Sequence, residues 1–136
     1  MPESPNLPHV DILRSPLGRA RGLGSARAGS KVWWAQRLTA AALVPLTLWF
    51  IWSVLHLIGA SQADVADWLS SPVRLALMLA LIAATFHHLQ LGLQVVIEDY
   101  VTREGLKLVA VFAIKGLCIL LALICVICAL ILGLTS

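Results

Sequence analysis

The chain is 136 residues long, with 60% of them hydrophobic, 12% charged and a formal net charge of +3. A soluble domain of this size carries roughly 45–50% apolar and about 25% charged residues, and it buries only about two-thirds of its unfolded surface, so it has nowhere to hide so many apolar side chains. The composition excludes an ordinary soluble domain and a wholly disordered chain, and it leaves a small polytopic membrane protein.

Residues 1–37 stand apart from the rest. They are rich in Gly, Ser and Pro, and hold six of the ten Lys and Arg residues (Arg14, Arg19, Arg21, Arg27, Lys31 and Arg37) against the acids Glu3 and Asp11. The segment has no apolar stretch of about 7–15 residues, so it does not read as a secretory signal. It is rich in Arg, as a transit peptide is, but two acids are present. It reads as a basic arm on anionic lipid, at about 1 kcal/mol per well-placed cation.

Three apolar runs follow, at residues 38–60, 72–97 and 108–134. Each exceeds the ~20 residues that cross ~30 Å of hydrocarbon at 1.5 Å per residue. Backbone amides in lipid must pair within their own segment or in a closed barrel, and runs without polar alternation choose helices. The predicted fold is therefore an all-α membrane protein: a basic arm over residues 1–37, then three transmembrane helices over residues 38–136. By the positive-inside rule the arm is cytoplasmic. The loop 61–71, with Asp64 and Asp67 and no cation, lies on the far side, and 98–107, with Arg103 and Lys107, returns to the cytoplasm. The C-terminus then lies outside. Trp33, Trp34 and Trp68 fall at the expected interfaces, while Trp49 and Trp52 sit deeper, as packing residues.

Polar residues inside such runs are costly, about 2.5–3.5 kcal/mol for charged types at mid-bilayer, and point to function by default. The first run holds Thr47 and His56, and the third holds Lys115. The second holds Arg74, Thr85, His87, His88, Gln90 and Gln94. Arg74, Lys115 and His56 are within snorkelling or interfacial reach of a boundary. His87 and His88 are not. Consecutive helical residues point about 100° apart, so the two cannot serve one site. His88 shares its row with Ala80, Ala84 and Gly92, a shallow groove against which a flat macrocycle can lie, whereas His87 has Ala83 and Leu91. Two readings stay open: an axial ligand to haem iron, or an interhelical hydrogen bond where small residues let helices approach. As a ligand, His88 would need a second ligand from another subunit, because His56 lies near the opposite interface. Cys118, Cys125 and Cys128 share the third run; Cys125 and Cys128 match C-x-x-C, but a lipid-buried helix opposes thiolate chemistry, and they read as small hydrophobes.

The second run ends in Glu98-Asp99-Tyr100. A Tyr at the membrane surface can bury its ring and present its hydroxyl, with an adjacent carboxylate to orient it or relay protons. The pair suits a quinone carbonyl, or is simply an interfacial helix end. Arg37, at the start of the first run, offers a planar fork for lipid phosphate or for haem propionates.

Taken together, His88-x-x-x-Gly92, the apolar run that follows, and Asp99-Tyr100 resemble the signature of the succinate dehydrogenase hydrophobic membrane anchor subunit. The run from Trp33-Trp34 through Arg37-Leu38-Thr39-Ala40 looks like that family's approach to its first helix, and Arg14-Ser15-Pro16-Leu17-Gly18-Arg19 with Gly22-Leu23-Gly24-Ser25 like the arm of alphaproteobacterial members. The resemblance implies a bacterial inner-membrane subunit. With a second anchor (cytochrome b) subunit it would hold a flavoprotein and an iron–sulfur subunit, which carry the FAD and iron–sulfur clusters; no nucleic-acid partner is expected. It implies haem b between the anchors, with His88 as one axial ligand and Arg37, and less directly Lys31, near the propionates. Tyr100 would bond a ubiquinone carbonyl, with Asp99 beside it. Many relatives carry His two residues after the Tyr, where this chain has Thr102. The implied role is electron transfer from succinate to ubiquinone with no activity of the chain alone. The competing expectations are a fumarate reductase anchor, a haem-free structural subunit, and a small transporter using Lys115 and His56.

Overall fold

The computed structural model describes residues 27–135. Arg14, Arg19 and Arg21 of the basic arm lie outside the described residues. Among the described residues there are four helices and no strands: α1, Arg27–His56; α2, Gln62–Ser70; α3, Pro72–Tyr100; and α4, Glu104–Leu134. Gly29–His56 of α1, together with α3 and α4, are long and apolar enough to cross a membrane.

All three long helices outrun the apolar segments that mark them in the sequence. At 29 residues α3 spans about 44 Å, against ~30 Å of hydrocarbon. Helix formation does not stop where lipid stops, because Lys, Gln, Arg and Leu are all good helix formers. So residues 27–37, assigned to the arm by composition, are helical; α1 ends at His56 rather than at residue 60, α3 continues to Tyr100 and α4 begins at Glu104. Only residues 101–103 separate α3 from α4, with the Val101 amide closing on the Ile97 carbonyl at 2.9 Å.

The expected loop 61–71 is a helix over most of its length. Ser61 and Asp64 form a capping box that starts α2. The Asp64 amide donates to the Ser61 hydroxyl at 3.3 Å, and the Ser61 amide and hydroxyl donate to Asp64 Oδ2 at 2.9 and 2.7 Å. Those two bonds hold the Asp64 carboxyl below the usual carboxylate range. Gly59, at φ +84°, supplies the left-handed turn that leads out of α1.

α3 runs between α1 and α4, whose backbones make no close approach to each other, and α2 packs across the far end of α3 and α4. Little of the protein is buried. Leu69, Leu75 and Ala129 form the one core cluster among the described residues, where α2, α3 and α4 meet. The most buried side chain among the described residues is polar: Ser53 of α1, at 1% exposure, donates to the Trp49 carbonyl at 2.8 Å. Trp68 of α2 stacks on Trp49 of α1 with centroids 5.9 Å apart, and Arg74 lies over its ring at 5.2 Å, so these residues pin α2. Trp52 is 59% exposed within this chain and lies against His56 of its own helix, with ring centroids 4.0 Å apart, so it packs on no other helix among the described residues.

At Gly133, α4 passes close to the α2 backbone and Leu75. A Cβ there would stand 3.2 Å from the Leu69 carbonyl oxygen and from Leu75 Cδ1. The carbonyl cannot swing aside, so Gly133→Ala should lower thermal stability in detergent by about 1–3 kcal/mol. Gly116→Ala, where a Cβ meets nothing within 4 Å, should leave it unchanged or slightly higher. Equal effects of the two substitutions would remove the close α2–α4 packing from the account.

Candidate functional site

α1 and α3 are antiparallel and in register at three levels. Thr39 Oγ1 lies 3.0 Å from His88 Nδ1. Gln36 Nε2 lies 3.6 Å from where a Gly92 side chain would begin. Val32 and Trp33 share a groove with Val95, and Gly29 with Glu98. Extending the register puts Asp99 and Tyr100 beside the first turn of α1, with Lys31 about one turn further along, whereas Arg37, two residues from Thr39, lies nearer the level of His88. His88 lies near the middle of α3, twelve residues or about 18 Å from Tyr100 along the helix.

The two adjacent histidines are separated as the helical geometry requires. Half-buried His88 turns toward α1. Exposed His87 lines a small cavity of 160 Å³ on the α4 side, with Gln90 of its own helix and Cys118 and Ile119 of α4. His88 Nε2 has no hydrogen-bond partner among the described residues. Above His88 toward the basic end, α1 and α3 enclose a groove of about 660 Å³ lined by Trp33, Gln36, Gly92, Gln94 and Glu98 among others. At its base the Gln36 side-chain oxygen is buried and unpaired. A buried acceptor without a donor costs about 1–3 kcal/mol, so the groove suits an occupant that offers a hydrogen.

Two of these features fit a flat cofactor ligated by His88: an imidazole nitrogen left free and a small residue one turn further on. The Arg37 guanidinium is exposed and lies over the Trp33 ring at 4.7 Å, with no carboxylate partner among the described residues. Lys31 is exposed on the same helix. Tyr100 is 83% exposed. The expected alliance of Asp99 with the Tyr100 hydroxyl does not form, because neighbours on a helix diverge by about 100°. The carboxylate bond at this end is instead between Gln94 Nε2 and Glu98, at 2.7 Å. Lys107 pairs with Glu104 at 3.5 Å across the first turn of α4. The three cysteines are free, Cys118 buried and Cys125 and Cys128 exposed. No group of three or more potential metal ligands converges among the described residues.

Two features of the structure were not read from the sequence, although one of them was legible there. The capping pattern Ser61-x-x-Asp64 signals α2 and was legible. The pairing of Thr39 with His88 was not, since residues 49 apart in the chain show no local pattern.

Comparison with known proteins adds the family. The family model described as the succinate dehydrogenase/fumarate reductase transmembrane subunit matches residues 12–127. A succinate dehydrogenase hydrophobic membrane anchor subunit from Rickettsia bellii is 35% identical over 75% of this chain and 82% of its own length. The protein of the same name from Paracoccus denitrificans is 29% identical over 74% and 78%. A succinate dehydrogenase membrane anchor subunit from Reclinomonas americana is 31% identical over 68% and 80%. No solved structure gives a significant match. With residues 12–127 matched, and three helices long and apolar enough to cross a membrane, the chain belongs to the succinate dehydrogenase/fumarate reductase transmembrane subunit family.

Proposed function

We propose that this chain anchors succinate:ubiquinone oxidoreductase in the bacterial inner membrane, contributing an axial haem b ligand and part of the quinone site. The observation that carries the reading is the α1–α3 register, which pairs a mid-helix His88 with a groove and an end-of-helix Asp99-Tyr100 on one side of the bundle. The basic arm and Arg103 favour a cytoplasmic position for that end, and the relatives' names favour the succinate-oxidising direction over fumarate reduction.

In this reading haem b, when bound, would supply a one-electron centre inside the hydrocarbon, shared with a second anchor subunit. His88 would hold it through Nε2, and Arg37, with Lys31 further out, would offer hydrogen-bonding cations to its carboxylates. Succinate is oxidised to fumarate in the soluble flavoprotein, releasing two electrons and two protons. The electrons reach quinone through the iron–sulfur subunit, and quinone takes them with two protons to become quinol. The Tyr100 hydroxyl donates to one quinone carbonyl, and the Asp99 carboxylate holds or releases a proton close by. The cofactors carry the chemistry, and this chain supplies position and electrostatics.

The exposed apolar surface is a face that lipid or a second membrane subunit would cover. Val44, Leu48, Ile51 and Leu55 on α1 and Leu89, Leu93 and Val96 on α3 are all exposed within this chain. A tagged copy of the chain, extracted gently from native membranes, should bring three further proteins: a flavoprotein, an iron–sulfur protein and a second small membrane subunit. A stable, monodisperse chain that arrives with none of them would contradict the reading.

A further inference from the structure

We infer that Thr39 is a positioning residue that fixes which nitrogen of His88 is free to bind, and the plane in which the ring is held; the inference rests on the proposed role of His88 as haem ligand. Thr39 Oγ1 lies 2.8 Å from the Ala35 carbonyl oxygen and 3.1 Å from that of Gln36. Two oxygens approach to 2.8 Å only with a proton between them. A hydroxyl has one proton, so that of Thr39 is committed to its own helix, and its lone pairs face outward. His88 Nδ1, at 3.0 Å from the same oxygen, must therefore be the donor. A neutral imidazole carries one N–H, and with it on Nδ1 the lone pair is on Nε2.

Nε2 is the nitrogen that has no partner among the described residues. Thr39 thus does for His88 what a carbonyl or carboxylate does behind many metal-bound histidines: it selects the tautomer, stops the ring turning and makes the free nitrogen more basic. The hydroxyl is suited to this because the α1 backbone fixes its own direction. A carboxylate in its place would bring a charge into the membrane interior.

The test uses the assembled membrane complex carrying Thr39→Val, which keeps the shape and removes the hydroxyl, and Thr39→Ser, which keeps the hydroxyl. Both should purify with the parent's subunit stoichiometry. Thr39→Val should release haem to a scavenging apoprotein about tenfold faster than the parent. Its haem reduction potential should rise, since a less electron-rich imidazole favours the reduced iron, and its low-spin electron paramagnetic resonance signal should move. Thr39→Ser should stay close to the parent in all three. A haem-bearing Thr39→Val complex that matches the parent throughout would overturn the assignment, as would Thr39→Ser behaving like Thr39→Val. A parent complex without haem would overturn the ligand reading itself, and this inference with it.

Discussion

Replacing His88 by Leu should abolish the b-type haem absorption of the purified complex, whereas His87→Leu should leave it in place. The two residues are neighbours in sequence and in depth, so the comparison controls for insertion and expression. Leu is more favourable in lipid than His, and neither substitution leaves a damaging orphan. When His88 is lost, Thr39 keeps its 2.8 Å bond to the Ala35 carbonyl, so no new unsatisfied donor appears between α1 and α3. What is lost is the one imidazole that faces the α1 side. Outer-shell partners of metal ligands already cost 10–100-fold in affinity, and an axial ligand itself should cost at least that, so haem content should fall by about tenfold or more. His87 faces α4 across a cavity of 160 Å³ with Cys118 and Ile119 on its far wall. Leu fills such a space with little strain. An unchanged spectrum in His88→Leu would dismiss the ligand assignment, and loss in both variants would indicate a damaged helix rather than a missing ligand.

Much of this arrangement is legible in the sequence, for reasons that also mark its limit. The three spans follow from uninterrupted apolar runs, because lipid forces every amide into local pairing. The separation of His87 from His88 follows from helical angle alone. The ends of the helices do not follow, since hydropathy marks the hydrocarbon and not the helix; Lys31, Gln36 and Arg37 are polar and still helical. Trp52 shows the same limit from the other side. Depth in an apolar run says that a residue meets something apolar, but not whether that is its own chain or lipid, and Trp52 faces outward at 59% exposure. Contacts between helices are least accessible of all. The Thr39–His88 pair and the Gln36–Gly92 approach depend on the rotation of α1 about its axis, which its nearly all-round apolar surface leaves undetermined. The orphaned oxygen of Gln36 is visible only once that rotation is known.

Tyr100→Phe should slow quinone reduction by about five- to tenfold while succinate oxidation with an artificial dye acceptor stays near the parent rate. The side chain is 83% exposed in this chain, so removing its hydroxyl disturbs no internal bond and leaves α3 intact. The ring survives in Phe, and with it the apolar contact to partner subunits or to the quinone. Only a donor to the carbonyl is removed, and one neutral hydrogen bond is worth about 1 kcal/mol, a factor of about five to ten in rate or affinity. The dye takes electrons upstream, in the soluble subunits, where this chain has no side chain. The defect should therefore appear mainly as a raised quinone KM if the bond acts in binding, and as a lowered kcat if it strengthens as charge builds on the carbonyl oxygen. Asp99→Asn separates the proton from the hydrogen bond. It keeps a polar group of the same shape but cannot release a proton, so it should lower the kcat of quinone reduction without the KM change of Tyr100→Phe. If Tyr100→Phe lowered both assays equally, the fault would lie in assembly, and Tyr100 would be a residue that docks the soluble subunits rather than one that holds quinone.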